Sequence, residues 1–210
     1  MTKASLEASA LRPPKVSSSQ SEVRALVEEC AAVRHGHFVL ASGRHSDVYV
    51  EKYRVLERPE VLEHVCRPLV EHFEPFGPEA IVGPQTGGVL VAFEIARQMK
   101  LPALYIERKD GEFRLARGAQ LNAGTRVLLV DDVLTTGVSL KEALPVMTQA
   151  EVELVGIGVL IDRSERPLDF SCEVFAACRF EATTYAPDEI PDWLARIPIS
   201  TPGTRAGKNS

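Results

Sequence analysis

A chain of 210 residues with 45% hydrophobic and 25% charged side chains has the length for one well-filled core and an ordinary globular composition. Its net charge of −5 argues against general binding to nucleic acid or to an acidic membrane surface. No apolar run approaches the roughly 18 residues of a membrane span, the opening Met1-Thr-Lys-Ala-Ser-Leu-Glu7 lacks the apolar core of a secretion signal, and four scattered cysteines without a Cys-x-x-Cys pair fit reduced thiols in the cytoplasm.

Residues 1–20, rich in Ser, Ala, Pro and Lys and without periodicity, read as a disordered tail. Val23, Leu26, Cys30 and Val33 form an apolar stripe at helical spacing, expected to end near Gly36. Two apolar runs between His37 and Val50 flank Ser42-Gly43-Arg44 and suggest a hairpin. Pro59 suits the first turn of a helix carrying Val61, Leu62, Val65 and Leu69, and Pro68 predicts a kink or an early end to it. Ala80 to Gly83 reads as a strand, Gly83-Pro-Gln-Thr-Gly-Gly88 as a glycine-rich turn, and Val89 to Met99 as an apolar helix. A strand over Ala103 to Ile106 precedes a long polar loop from Glu107 to Gly124. A strand over 126–131, a helix over about 138–149 with Pro145 inside it, and strands over 154–161 and 172–177 complete the pattern. A Pro-punctuated segment then leads to a polar tail, 201–210. The βαβ order, with strands apolar on both faces, favours an α/β fold with a doubly wound, mostly parallel sheet, as one domain over residues 21–200.

The chemistry concentrates in Arg126-Val-Leu-Leu-Val-Asp131-Asp132-Val-Leu-Thr135-Thr136-Gly137-Val-Ser139. A buried strand delivers its last residues to the carboxyl edge of such a sheet, where open α/β folds bind ligands. The Thr-Thr-Gly turn offers backbone N–H groups at a helix N-terminus, a cradle for phosphate, and the two carboxylates can accept hydrogen bonds from sugar hydroxyls. A phosphate at one end and a diol at the other suggest a ribose 5-phosphate. A Walker-B strand would need a Gly-x-x-x-x-Gly-Lys-Ser/Thr partner, and the turn from Gly83 carries no lysine. An ordinary βα corner with a capping Asp is the plainer alternative. The 107–124 stretch, with Arg108, Lys109, Arg114 and Arg117 offset by Glu107, Asp110 and Glu112, is either a mobile lid or a solvated loop.

The run from Val127 to Gly137 closely resembles the phosphoribosyl pyrophosphate (PRPP) signature of type I phosphoribosyltransferases: four hydrophobics, two acids, a short spacer, then Thr-Thr-Gly. The Phe38-x-Leu-x-Ser-Gly-x-x-Ser46 hairpin and Asp162-Arg163-x-Glu165 resemble elements of the orotate phosphoribosyltransferases, and that likeness covers about Val23 to Arg205. The resemblance implies transfer of ribose 5-phosphate from PRPP to orotate, giving orotidine 5′-monophosphate and pyrophosphate in de novo pyrimidine (UMP) synthesis. It implies a small hood over the base site, built from about residues 36–55 and the C-terminal segment. PRPP would be held by Asp131, Asp132, Val133, Leu134, Thr135, Thr136, Gly137, Val138 and Ser139, with Gln85, Thr86 and Gly87 at the pyrophosphate and Arg108 and Lys109 from the flap. Catalysis would draw on Asp131, Asp132, Arg108, Lys109, Arg114 and Arg117. Orotate would meet Thr135, Arg163, Tyr49 and Val50, with Arg163 on its carboxylate.

The same resemblance implies Mg²⁺ carried on substrate oxygens, with no metal ligands from the protein alone. It also implies a homodimer whose flap serves the neighbouring site, and no nucleic-acid or membrane partner. The chain departs from the family at Ala41 and Thr86, where lysines are usual, and in lacking the flap's Lys-x-His. A phosphoribosyltransferase for another purine or pyrimidine base, and a PRPP-sensing regulator of the same fold, stay open at this point.

Overall fold

The computed structural model describes residues 18–40 and 42–200. Residues 1–17 of the expected tail, Ala41 and the tail 201–210 lie outside the described residues, while Ser18 to Gln20 already belong to the first helix, α1 (Ser18–Glu29). In chain order there follow β1 (Val33–Val39), β2 (His45–Val50), α2 (Tyr53–Leu56), α3 (Pro59–Phe73), β3 (Ala80–Pro84), α4 (Gly87–Met99), β4 (Ala103–Lys109) and β5 (Glu112–Leu115). The chain continues through β6 (Arg126–Leu134), α5 (Val138–Gln149), β7 (Glu153–Asp162), β8 (Val174–Arg179), β9 (Thr184–Tyr185), α6 (Asp192–Ala195) and β10 (Ile199–Ser200).

The main sheet has the order β5-β4-β3-β6-β7-β8, parallel throughout except for the antiparallel edge strand β5. Alternate residues of β6 feed two cores. Leu128 and Val130 pack with Val27, Leu69 and Ile95 from the α1, α3 and α4 side, and Val127 and Leu129 pack with Leu140, Ala143 and Met147 of α5. All four strand residues are fully buried, each worth about 1.5–3 kcal/mol relative to exposure. Helices therefore cover both faces, as a doubly wound α/β sheet requires. A second, smaller sheet, β10-β1-β2-β9, joins the hairpin near the start of the described chain to two short strands near its end. Among the described residues no helix is long and apolar enough to cross a membrane, and all four cysteines are free thiols.

Several expectations need correction. The helical stripe does not reach Val33: Ala31 turns into the left-handed region at φ 54°, so the chain leaves α1 early and Gly36 falls inside β1. Pro68 does not end α3, which runs five residues further, its ring buried among the core side chains. The polar stretch after Ile106 is largely a hairpin, β4–β5, turning through Asp110 and Gly111 at positive φ. The last long strand is shifted by two residues, to 174–179. Most important, β6 does not stop at Asp131 but carries both acids within its ladder to Leu134.

Candidate active site

Because β6 continues past the acids, Asp131 and Asp132 are neighbours on opposite faces of one strand. Both are buried, at 7% and 4% exposure. Asp131 accepts the N–H of Asp132 at 2.9 Å and a hydrogen bond from Ser139 at the head of α5. Burial first, and the charge of Asp132 second, push its carboxyl up to about 7. Asp132 accepts the N–H of Val133 at 2.6 Å, and its Oδ2 forms an ion pair with Lys52 Nζ at 2.6 Å. Burial works against the Lys52 charge, but Asp132 and then Asp131 outweigh it and the ammonium is held above its ordinary value.

The glycine-rich turn is built against these carboxylates. A Cβ on Gly87 would stand 1.5 Å from Asp132 Oδ2, so only glycine fits the first position of α4 with the carboxylate where it is. Gln85 donates its N–H to the Ile106 carbonyl, and the Gln85–Thr86 peptide is cis. Beyond β6, Thr135 and Thr136 lead to Gly137 at φ 73°, where a Cβ would also collide with Phe170 and Leu168. The glycine thus turns the chain into α5, and residues 133–140 with Asp131 line a 140 Å³ pocket at the helix N-terminus. Backbone N–H groups and the helix dipole favour an anion there.

A 520 Å³ cavity lies alongside, between the smaller sheet and the same turn, lined in part by Leu40, Arg44, Thr135, Thr136, Arg163 and Thr184. Arg163 leaves the end of β7, is 8% exposed, and donates Nη2–H to the Val48 carbonyl at 3.0 Å. Burial lowers its pKa, with Tyr49 and Asp47 opposing. Arg44 grips Thr184 through Nε to the hydroxyl at 2.7 Å and through Nη2 to the carbonyl at 2.8 Å. Glu165 accepts from the Thr184 N–H at 3.0 Å, which fixes β9 against the β7 end.

The structure thus brings together Asp131, Asp132, the 133–139 turn, the 85–87 turn and Arg163. It does not bring in every expected residue. Val50 is buried in the core, whereas half-buried Tyr49 packs on Phe38 at 5.6 Å between ring centroids and interacts electrostatically with Arg163. The flap cations are engaged elsewhere. Arg108 pairs with Glu142 of α5 and lies over Phe113, Arg114 reaches Asp110 at 3.8 Å, Arg117 bonds to Tyr105, and Lys109 is exposed. Arg108 thus ties the hairpin to α5, while Arg114 and Arg117 bond to residues of the hairpin itself. Sequence reasoning missed Lys52, which lies two residues past the hairpin and 80 positions from its partner, where no local spacing marks it.

The phosphoribosyl transferase domain profile matches residues 54–175. An orotate phosphoribosyltransferase of Parvibaculum lavamentivorans is 39% identical over 189 residues, covering 89% of this chain and 97% of that protein. The orotate phosphoribosyltransferase of Caldanaerobacter subterraneus subsp. tengcongensis is 35% identical over 186 residues, covering 89% and 98%. The crystal structure of orotate phosphoribosyltransferase from Aeropyrum pernix superposes with a TM-score of 0.64 at 25% identity, over 75% of this chain and 92% of that one. Fold, signature strand and near full-length similarity agree, and the chain belongs to the phosphoribosyltransferases, in the family of the orotate phosphoribosyltransferases.

Proposed function

We infer that the protein is an orotate phosphoribosyltransferase that joins ribose 5-phosphate from PRPP to orotate and releases pyrophosphate. One observation carries the reading: Thr135 and Thr136 line both the anion-favouring pocket at the α5 N-terminus and the larger cavity containing Arg163. A phosphate seated at the first and a carboxylated base in the second are then ends of one molecule-sized site.

In this assignment the 5′-phosphate takes the N–H groups and hydroxyls of Thr135 to Ser139, and Asp131 and Asp132 accept from the 2′- and 3′-hydroxyls. The pyrophosphate lies along Gln85 to Gly87. Orotate rests under the hood with its carboxylate on Arg163, whose planar fork suits a carboxylate. The base nitrogen forms its bond to C1′ as the C1′–O bond to pyrophosphate breaks, and the proton of the ring N–H leaves to the departing pyrophosphate or to solvent. Positive charge develops on the ribose ring, close to two carboxylates, so catalysis rests on positioning and charge stabilisation without a protein nucleophile.

Mg²⁺ fits this donor set as a companion of the substrate. Among the described residues no three acidic, His or Cys side chains converge, and one of the two carboxylates is already paired with Lys52. Asp131 and Asp132 would be the acids that receive a substrate-borne ion, and it would supply charge neutralisation for the leaving pyrophosphate. The homodimer reading is supported by the α4 surface, where Phe93 is 63% and Leu90 40% exposed one to two turns from the glycine turn. A partner covering that face would lie beside the site.

The test is turnover with Mg²⁺ and PRPP, following loss of orotate absorbance, with uracil and hypoxanthine as competing bases. Consumption of orotate alone is the expected result. Consumption of another base instead would remove Arg163 from its role, and PRPP binding without turnover on any base would point to a sensor.

A further inference from the structure

Lys52 is the one cation, among the described residues, that forms an ion pair with the acids of the signature strand. The pair is asymmetric: the Asp132 side chain is 6% exposed, while that of Lys52 is 36% exposed. The ammonium therefore approaches from solvent, on a flexible four-carbon stem, and caps a carboxylate that the fold contacts on its other sides. The Gly87 backbone stands against Asp132 Oδ2, and the other oxygen accepts the Val133 N–H. The oxygen that Lys52 pairs with, Oδ2, is also the one that faces Gly87, so the ammonium lies at the boundary between the acidic pair and the glycine turn.

Charge makes this placement consequential. Two adjacent buried carboxylates repel one another and any polyanion that approaches them. A single ammonium offsets part of that field, yet with three N–H donors and one paired oxygen it has capacity left. Removing Asp132 from Lys52 without replacement would leave a buried charge unpaired. Sugar hydroxyls donating to Asp132 supply that replacement, and they arrive on the same molecule as the diphosphate.

We propose that Lys52 is a diphosphate ligand that changes partners: it holds Asp132 in the empty site and passes to the diphosphate oxygens of PRPP as the ribose hydroxyls take over the carboxylate. The inference rests on the assignment of PRPP to this site. It gives the glycine turn, which carries no cation of its own in Gly83 to Gly88, a positive charge delivered from the hood side. It also makes Lys52 a catalytic residue, since the group it touches is the one that leaves.

The experiment compares wild type, Lys52→Met, Lys52→Gln and Lys52→Arg. Wild type is first assayed for orotate consumption with PRPP; absence of turnover would remove the PRPP assignment and this inference with it. Magnesium pyrophosphate and ribose 5-phosphate are then titrated separately by calorimetry. Lys52→Met lacks the charge-assisted hydrogen bond and is expected to bind pyrophosphate about ten- to hundredfold more weakly, and ribose 5-phosphate within about twofold of wild type. Lys52→Arg should recover most of the pyrophosphate affinity. Lys52→Gln keeps a donor beside Asp132 and so protects the fold; it must show the same split if Lys52→Met does not fold. Unchanged pyrophosphate affinity in an active background, or equal loss of both ligands, would overturn the assignment and leave Lys52 as a counter-ion of Asp132 only.

Discussion

Gly87 and Asp132 occupy one another's space: a methyl group on the glycine would stand 1.5 Å from the carboxylate oxygen and 2.6 Å from its carbon. The two residues come from different βα units, and their contact joins the glycine turn to the acidic pair. Gly87→Ala is therefore expected to push Asp132 out of position while improving helix propensity at the start of α4. A displacement of this size should lower kcat/KM for PRPP by about a hundredfold, with little loss of Tm. Steady-state kinetics beside thermal unfolding would check it, and an equal fall in both would mean the glycine serves the fold.

Asp131 gives a pH dependence whose sign differs from that of an ordinary surface acid. Its carboxyl is raised from 3.8 to about 7 in the fold, so between those values the native state binds the proton that the unfolded chain releases. Its contribution to stability is thus greatest at low pH and falls as pH rises through that window. Asp131→Asn lacks the titration. The difference in unfolding free energy should move in favour of the variant between about pH 4 and pH 8, measured by denaturant titration at several pH values. A difference independent of pH would show that Asp131 is charged throughout.

Arg163→Ala should raise KM for orotate about ten- to hundredfold while changing KM for PRPP by less than about threefold. Arg163 also donates to the Val48 carbonyl, so part of the loss could come through the hood strand. Arg163→Lys separates the two roles, because lysine keeps the charge and loses the fork. Equal effects on both substrates would make the arginine a tie between β7 and β2.

The flap is held down by Arg108 on Glu142 of α5, an exposed pair of the kind worth about 0.2–1 kcal/mol. Glu142→Gln should free the hairpin, raise amide exchange over residues 107–115, and lower KM for PRPP by about twofold to fivefold as Arg108 becomes available. Exchange mass spectrometry with and without PRPP reads this directly. No change in either quantity would place the hairpin's anchorage elsewhere.

What the sequence revealed followed from local chemistry. The run from Val127 to Gly137 announced strand, acids, turn and helix because burial, charge and φ preference are written in consecutive residues. The hairpin before Val50 and the helix beginning at Pro59 were legible for the same reason. Asp110-Gly111 carried an ordinary two-residue turn signal that the surrounding charges obscured, and so β4–β5 read as a loop. Ala31, not glycine, takes the left-handed turn after α1, so nothing marked that helix end. The Lys52–Asp132 pair depends on a contact across 80 residues, and only the folded chain displays it.

The smaller sheet joins His37 to Ile199 and His45 to Tyr185, partners separated by roughly two thirds to three quarters of the chain. The parallel sheet, by contrast, grows from consecutive βα units. During synthesis from the N-terminus, the acidic pair and the Thr135–Gly137 turn can therefore be in place while the hood still lacks its outer strands. A ribosome-bound chain would complete its acidic strand before its hood, and the roof of the larger cavity would arrive last, with residues 184–200.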